Sequence, residues 1–309
     1  MADFKETVTS LFESVDIQVN GSRLCDPQIH NELFYSRVLS GGSLALGESY
    51  MDGWWDCEAL DEFSCRLLRG RIDKQVKVTN PSFLMHVLKA YLFNTQNINR
   101  AYIVGEEHYD TGNDLFKLML DQRMNYSCGY WRNAANLEQS QVNKLDLACR
   151  KLHLKPGMRV LEIGCGWGAF AKYATENYGV SVHGITVSKE QMNYAKKSCE
   201  GLDATFELKD YRVLNTKYDA IVSIGMFEHV GYKNYRDYME VAHRCLGDKG
   251  LFLLHTIGRN TPSRSTDPWT NKSFSLMEWF PLRLRLVALR RAFLLLRTGI
   301  TLGRIMIKP

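Results

Sequence analysis

The 309-residue sequence has no run approaching the ~18 consecutive apolar residues of a membrane-spanning helix. Its start, MADFKETVTSLFESV, carries acids and no long apolar core, so it does not read as a secretory signal. Seven prolines and 23 glycines exclude a collagenous or low-complexity chain. No C-x-x-C pair occurs among the eight cysteines, at 25, 57, 65, 128, 149, 165, 199 and 245. Their wide, irregular spacing argues against a disulfide framework or structural zinc and for reduced thiols in a cytosolic protein. There is no internal repeat. A charge excess is also missing from most of the chain. The total is +5, but residues 273–309 hold seven basic side chains against one acid, Glu278, and taking that +6 from the total leaves −1 for the first 272 residues. A near-neutral body gives no support for nucleic-acid binding.

Apolar residues at 45% and charged residues at 24% mark an ordinary globular protein, and this length suggests two domains. Residues 1–94 read as a mainly helical domain. Phe4–Val15 forms a short amphipathic helix, Gly41-Gly42 and Gly47 punctuate the middle, and PSFLMHVLKAYLF opens a helix at Pro81. NTQNINR (94–100) is the linker. The pattern then changes. A helix over 137–153 precedes strands at 158–163, 181–187, 204–210, 218–225 and 250–257, separated by helical segments. Ser188 and Gln191 form an S-x-x-Q capping box between two of them. Strands alternating with helices predict an α/β, doubly wound, mostly parallel Rossmann-like sheet over residues 95–272, with ligands at the carboxyl ends of the strands.

The strongest local signal is VLEIGCGWG (160–168). A strand runs into a Gly-rich turn that opens a helix. Its G-x-G-x-G spacing is not the G-x-G-x-x-G of dinucleotide sites. Glu162 stands beside the first of Gly164, Gly166 and Gly168, where a carboxylate suits a cationic ligand and not a pyrophosphate. S-adenosylmethionine, with an ammonium, a sulfonium and no phosphate, therefore fits better than NAD. The bland alternative is an ordinary strand-to-helix turn. Thr186 ends the second strand where a ribose would lie; the usual acid is absent, and the Thr186 hydroxyl with the Gln191 amide could replace it. Asp210 and Tyr211 end the third strand, where an adenine could be met, although Asp is also a common turn residue. Glu228 and His229 follow the fourth strand. His255 ends the fifth inside an apolar run, a setting in which a lone His is more often core than ligand. Position shifts those odds, because Gly164, Thr186, Asp210, Glu228 and His255 all fall at carboxyl ends of successive strands. Upstream, Asn125–Trp131 and Glu107–Asp110 could fold over the pocket or simply pack between domains.

HYDTGNDLFKLML, YSCGYW, LEIGCGWG, GITVSKEQ, KDYR, GMFEHVG and LLHTIG, in this order and spacing, closely resemble the cyclopropane-fatty-acyl-phospholipid synthases, relatives of the mycolic-acid-modifying methyltransferases. The likeness covers roughly residues 30–272 and includes GESYMDGWW. It implies S-adenosylmethionine as methylene donor to the cis double bond of an unsaturated phospholipid acyl chain, and bicarbonate as the catalytic base. By motif match, Cys128, Glu228 and His255 surround that anion with the Ile257 backbone nearby. Tyr126, Ser127, Glu162, Gly164, Gly166, Gly168, Thr186, Gln191, Asp210 and Tyr211 hold the cofactor. It also implies a cytoplasmic protein, peripheral to the inner face of the membrane and reversibly bound to phospholipid. The N-terminal domain, around Trp54, Trp55 and 83–92, is expected to serve docking or homodimer formation. A plain methyltransferase and a non-catalytic binding remnant are the competing functions.

The likeness stops after DPWTNK (267–272). Family members continue with further strands and an active-site Tyr, so the C-terminal part of the fold is expected to be missing. Residues 273–309 are Leu- and Arg-rich, and a composition jump this sharp is what a shifted reading frame produces. The alternative is a basic, apolar helix lying on anionic lipid.

Overall fold

The computed structural model describes residues 2–72, 113–258 and Trp269. Calls on the Pro81 helix, the 94–100 linker, Glu107–Asp110 and the 273–309 tail lie outside those residues. The described chain divides into two units, 2–72 with Trp269 and 113–258.

In the first unit, α1 (Ala2–Glu13) places Val8 and Phe12 on one face by their four-residue spacing. They pack with Phe34, Trp55 and Phe63 in a small core. Gly41-Gly42 punctuates the unit as expected. α2 (Leu33–Met51) is two helical pieces joined across a kink at Gly42, whose non-helical φ of 57° and ψ of −137° are open to a residue without Cβ. Gly47 makes room for Trp269, since a Cβ there would stand 2.4 Å from its indole. A two-residue ladder joins β1 (Gln28–Ile29) to β2 (Trp55–Asp56), and α3 spans Leu60–Arg69. Trp55 is buried in this core and Trp54 lies under the Arg37 guanidinium. The Trp55 indole is thereby withdrawn from the surface expected to meet lipid.

In the second unit, α4 (Asn113–Met119) and α5 (Leu137–Lys151) precede the sheet. Five parallel strands follow, β3 (Arg159–Ile163), β4 (Ser181–Thr186), β5 (Ala204–Leu208), β6 (Tyr218–Ile224) and β7 (Leu246–His255), in the order β5-β4-β3-β6-β7. Between them run α6 (Ala169–Tyr178), α7 (Lys189–Ser198) and α8 (Tyr235–Cys245). This is the doubly wound sheet expected. The two-residue period of β3 sends Leu161 and Ile163 to one face, with Ile221, Phe252 and α8, and Val160 to the other, with Val182, Val222, α5 and α6. Each such aliphatic side chain contributes about 1.5–3 kcal/mol by burial. The chain leaves β3 toward β4 on one side and reaches β6 on the other. That switch point opens a crevice at the carboxyl ends.

Candidate active site

The glycine turn is built by positive φ. Gly164, Gly166 and Gly168 sit at +80°, +53° and +85°. The amides of Gly164 and Cys165 both donate to the Ile185 carbonyl at 3.0 Å, tying the turn to β4. A Cβ on Gly164 would meet Met226 at 2.6 Å, whereas one on Gly166 would have nothing within 4 Å. Gly168 plays a different part. It caps α6 and lies against Ala195 and Phe206, outside the cavity lining.

Above this turn lies a cavity of about 1250 Å³, open mouth included. Tyr126, Ser127, Glu162, Gly164, Gly166, Thr186, Gln191, Asp210 and Tyr211 all line it. Thr186 donates its hydroxyl to Gln191 Oε1 at 2.8 Å and accepts from the Ser188 amide. Ser188 in turn accepts from the Gln191 amide. Half of the expected capping box therefore forms, and the Gln191 carboxamide binds Thr186 instead of returning to Ser188. With that oxygen occupied, the Gln191 side chain offers N–H donors to a ligand. Asp210 holds a turn, accepting from the Arg212 amide and pairing with its guanidinium at 3.0 Å. Tyr211 packs edge-on against Tyr238, and its buried hydroxyl has no partner.

Glu162 shares the β3 face of Val160, so it lies buried on the α5 side of the sheet. Its Oε2 has no hydrogen-bond partner. Burial drives its carboxyl well above the usual range, and the Ala171 amide and Lys144 pull it back. Lys144, which the sequence reading passed over, is itself buried. It donates to Asn125 Oδ1 at 3.0 Å and to Ser127 Oγ at 2.7 Å. Asn125 in turn donates to Asp121. One signal did mark the lysine, because Gln141, Lys144, Leu145 and Ala148 form a single helical stripe.

A second cluster stands apart from that cavity. Cys128 Sγ lies 3.6 Å from His255 Nε2, although 127 residues separate them. Glu228, buried in the 3-10 turn after β6, accepts from the Ile257 amide at 2.6 Å, two residues past His255. The expected trio therefore gathers at the ends of β6 and β7. The Ile257 N–H, expected to face an anion, is committed to Glu228. The buried His255 Nδ1 has no partner. Burial first, then the Lys144 and Lys151 charges, lower the His255 pKa to about 4, so the ring is neutral at pH 7.

A neutral buried His makes stability depend on pH in a defined direction. The unfolded ring titrates near 6.5 and the folded one near 4, so between those values the unfolded state binds the extra proton. Stability is present above pH ~6.5 and falls as pH drops toward 4, by ~2–3 kcal/mol from this group. Urea unfolding at pH 7 and pH 4.5, on the wild type and His255→Gln, measures it. An equal acid loss in both proteins would refute the assignment.

A family model described as Mycolic acid cyclopropane synthetase matches residues 96–284, reaching past Lys272 into the segment that composition sets apart. The chain is 53% identical over 265 residues to the cyclopropane-fatty-acyl-phospholipid synthase of Escherichia coli (strain K12), covering 85% of this chain and 68% of that one. Among solved structures, the cyclopropane synthase MmaA2 from Mycobacterium tuberculosis aligns with a TM-score of 0.58 at 34% identity, covering 62% of this chain and 73% of that one. The mycolic acid cyclopropane synthase CmaA1, complexed with SAH and CTAB, aligns with a TM-score of 0.50 at 34% identity, covering 63% and 66%. Matches of this extent, on a parallel sheet with this glycine turn, decide the matter: the chain belongs to the mycolic acid cyclopropane synthetase family.

Proposed function

We propose that this protein transfers a methylene group from S-adenosylmethionine to the cis double bond of an unsaturated phospholipid acyl chain, forming a cyclopropane fatty acid. The observation that carries the reading is that two sites both lie at the carboxyl ends of the strands of one sheet. One is a cavity with a buried, unpartnered carboxylate oxygen, and the other is the Cys128–His255 pair with Glu228 behind it.

The cavity fits the cofactor. Glu162 Oε2 and the Tyr211 hydroxyl are buried polar atoms without partners, and the space above Gly166 is open to a ligand. A ligand ammonium beside Glu162 favours its ionised form. Gln191 donors and the Tyr211 hydroxyl suit the ribose and adenine, and Ser127 and Tyr126 close the wall. When bound, S-adenosylmethionine supplies the sulfonium methyl that becomes the ring methylene.

The protein's own task is then to hold the base that takes one proton from that carbon and to keep water away from a cationic acyl chain. Phe116, Tyr126 and Trp167 form an aromatic cluster at the cavity, with ring centroids 4.8 and 5.5 Å from Phe116. Their faces suit positive charge and exclude water. For the proton, Cys128, His255 and Glu228 fit a bicarbonate ion, which would supply the base there. Neutral His255 and the Cys128 thiol can donate to it, and Glu228 can accept its single O–H. Peripheral contact with phospholipid is supported by α4, which buries Phe116 but exposes Leu115, Leu118 and Met119. No described helix is long and apolar enough to cross a membrane.

Incubation with S-adenosylmethionine and vesicles of unsaturated phospholipid tests the reading, with gas chromatography and mass spectrometry of the released acyl chains. The expected product gains one CH2 and no longer reacts as an alkene. A product that gains CH2 but keeps its double bond would mean plain methyl transfer, and cofactor binding with no product would mean a non-catalytic protein.

A further inference from the structure

We infer that Lys144 is a positioning residue for the cofactor: its ammonium pins Asn125 and Ser127 into the cavity wall. The inference rests on the cofactor reading above and extends it to a side chain that the reaction itself does not touch.

Asn125 and Ser127 belong to an irregular segment with no strand ladder to hold it. α5 grips that segment at two points one turn apart. Gln141 Nε2 donates to the Ser127 carbonyl at 2.8 Å, and Lys144 donates to Ser127 Oγ at 2.7 Å and to Asn125 Oδ1 at 3.0 Å. Asn125 and Ser127 both line the cavity. An ammonium has no lone pair, so Ser127 must accept from Lys144, and its own O–H is left for another acceptor. In the cavity wall that acceptor is a ligand oxygen. Asn125 is fixed in the same way, because its carbonyl faces Lys144 and its NH2 faces Asp121. Space-filling alone would not call for a charge here, since an apolar side chain of similar length fills the same volume without desolvating an ion. Burial lowers the Lys144 pKa to about 8, and the nearby Asp121 is first among the groups that pull it back.

Calorimetric titration with SAH on the wild type, Lys144→Met, Ser127→Ala and the double variant tests this. The wild type binds. Lys144→Met raises Kd by about 10–100-fold, the range for losing hydrogen bonds to a charged group. The double variant is weaker than Lys144→Met by less than about twofold, because the two residues act through one contact. In turnover, KM for S-adenosylmethionine rises while kcat at saturation stays within about threefold. A wild-type Kd in Lys144→Met overturns the inference, and so do additive effects in the double variant. If Lys144→Met does not fold, Ser127→Ala decides: a raised Kd supports the inference and an unchanged Kd overturns it. A wild-type protein that does not bind SAH removes the cofactor reading, and this inference with it.

Discussion

Alanine at position 255 lowers kcat by about 10²–10⁴-fold, the usual worth of a positioned proton-handling group, and leaves the SAH Kd within about twofold. The two halves of that expectation come from the placement of His255. It ends β7, on the far side of β6 from the glycine turn, and it is not among the residues lining the cofactor cavity. Cofactor affinity therefore does not depend on it. Turnover does, because the ring contacts Cys128 at 3.6 Å and sits two residues from the amide held by Glu228. Without the imidazole, the region where the proton must leave loses a donor and gains room for water. Water would trap a cationic acyl chain as an alcohol. His255→Ala should accordingly show a hydroxylated acyl by-product where the wild type shows only the ring. Stopped assays on unsaturated phospholipid vesicles, read by mass spectrometry, give both quantities. A variant that retains wild-type kcat would show that His255 is a core histidine and nothing more.

That the histidine was legible at all follows from the sheet. Period-two apolar runs alternating with helical ones mark parallel strands, and ligand sites then fall at strand ends by topology. β3 to β6 lie where the pattern put them, and β7 starts four residues early, at Leu246. What was illegible involves contacts across irregular chain. Lys144 sits in LEQSQVNKLDLACRK, where a lysine reads as a solvated face. Only the fold brings Asn125 and Ser127, 19 and 17 residues upstream, onto its ammonium. Gly41-Gly42 was legible as punctuation. Two adjacent glycines weaken a helix locally, and Gly42 breaks the helical backbone between the piece that buries Phe34 and Tyr35 and the piece that buries Ala45. The role of Gly168 was blurred, because capping and ligand approach ask for the same residue. The difference is visible only in what surrounds the missing Cβ.

That difference separates two glycines of one turn in an experiment. Gly166→Ala folds and does not bind, whereas Gly164→Val fails to fold stably. Both positions have positive φ, +53° and +80°, and a side chain there costs about 1–2 kcal/mol on backbone grounds alone. At Gly166 that is nearly the whole cost, since a Cβ meets no protein atom within 4 Å. Thermal unfolding of Gly166→Ala should therefore stay within several degrees of wild type. The space that the methyl enters is the space a ligand backbone contact needs, so the SAH Kd rises by at least about 100-fold, on the order of 3 kcal/mol. At Gly164 the Cβ lies 2.6 Å from Met226 Cγ and 2.7 Å from its Cβ. Met226 belongs to the turn that leads into Phe227 and buried Glu228. The turn cannot retreat without moving Phe227, which stacks on Tyr235 at 4.3 Å in the main core. Adding a β-branched residue to that collision brings the cost to about 3–5 kcal/mol, at the exceptional end for single substitutions. Urea midpoints and SAH calorimetry on both variants measure the contrast. A Gly166→Ala protein that binds SAH like the wild type would mean that the open space above the turn belongs to no cofactor.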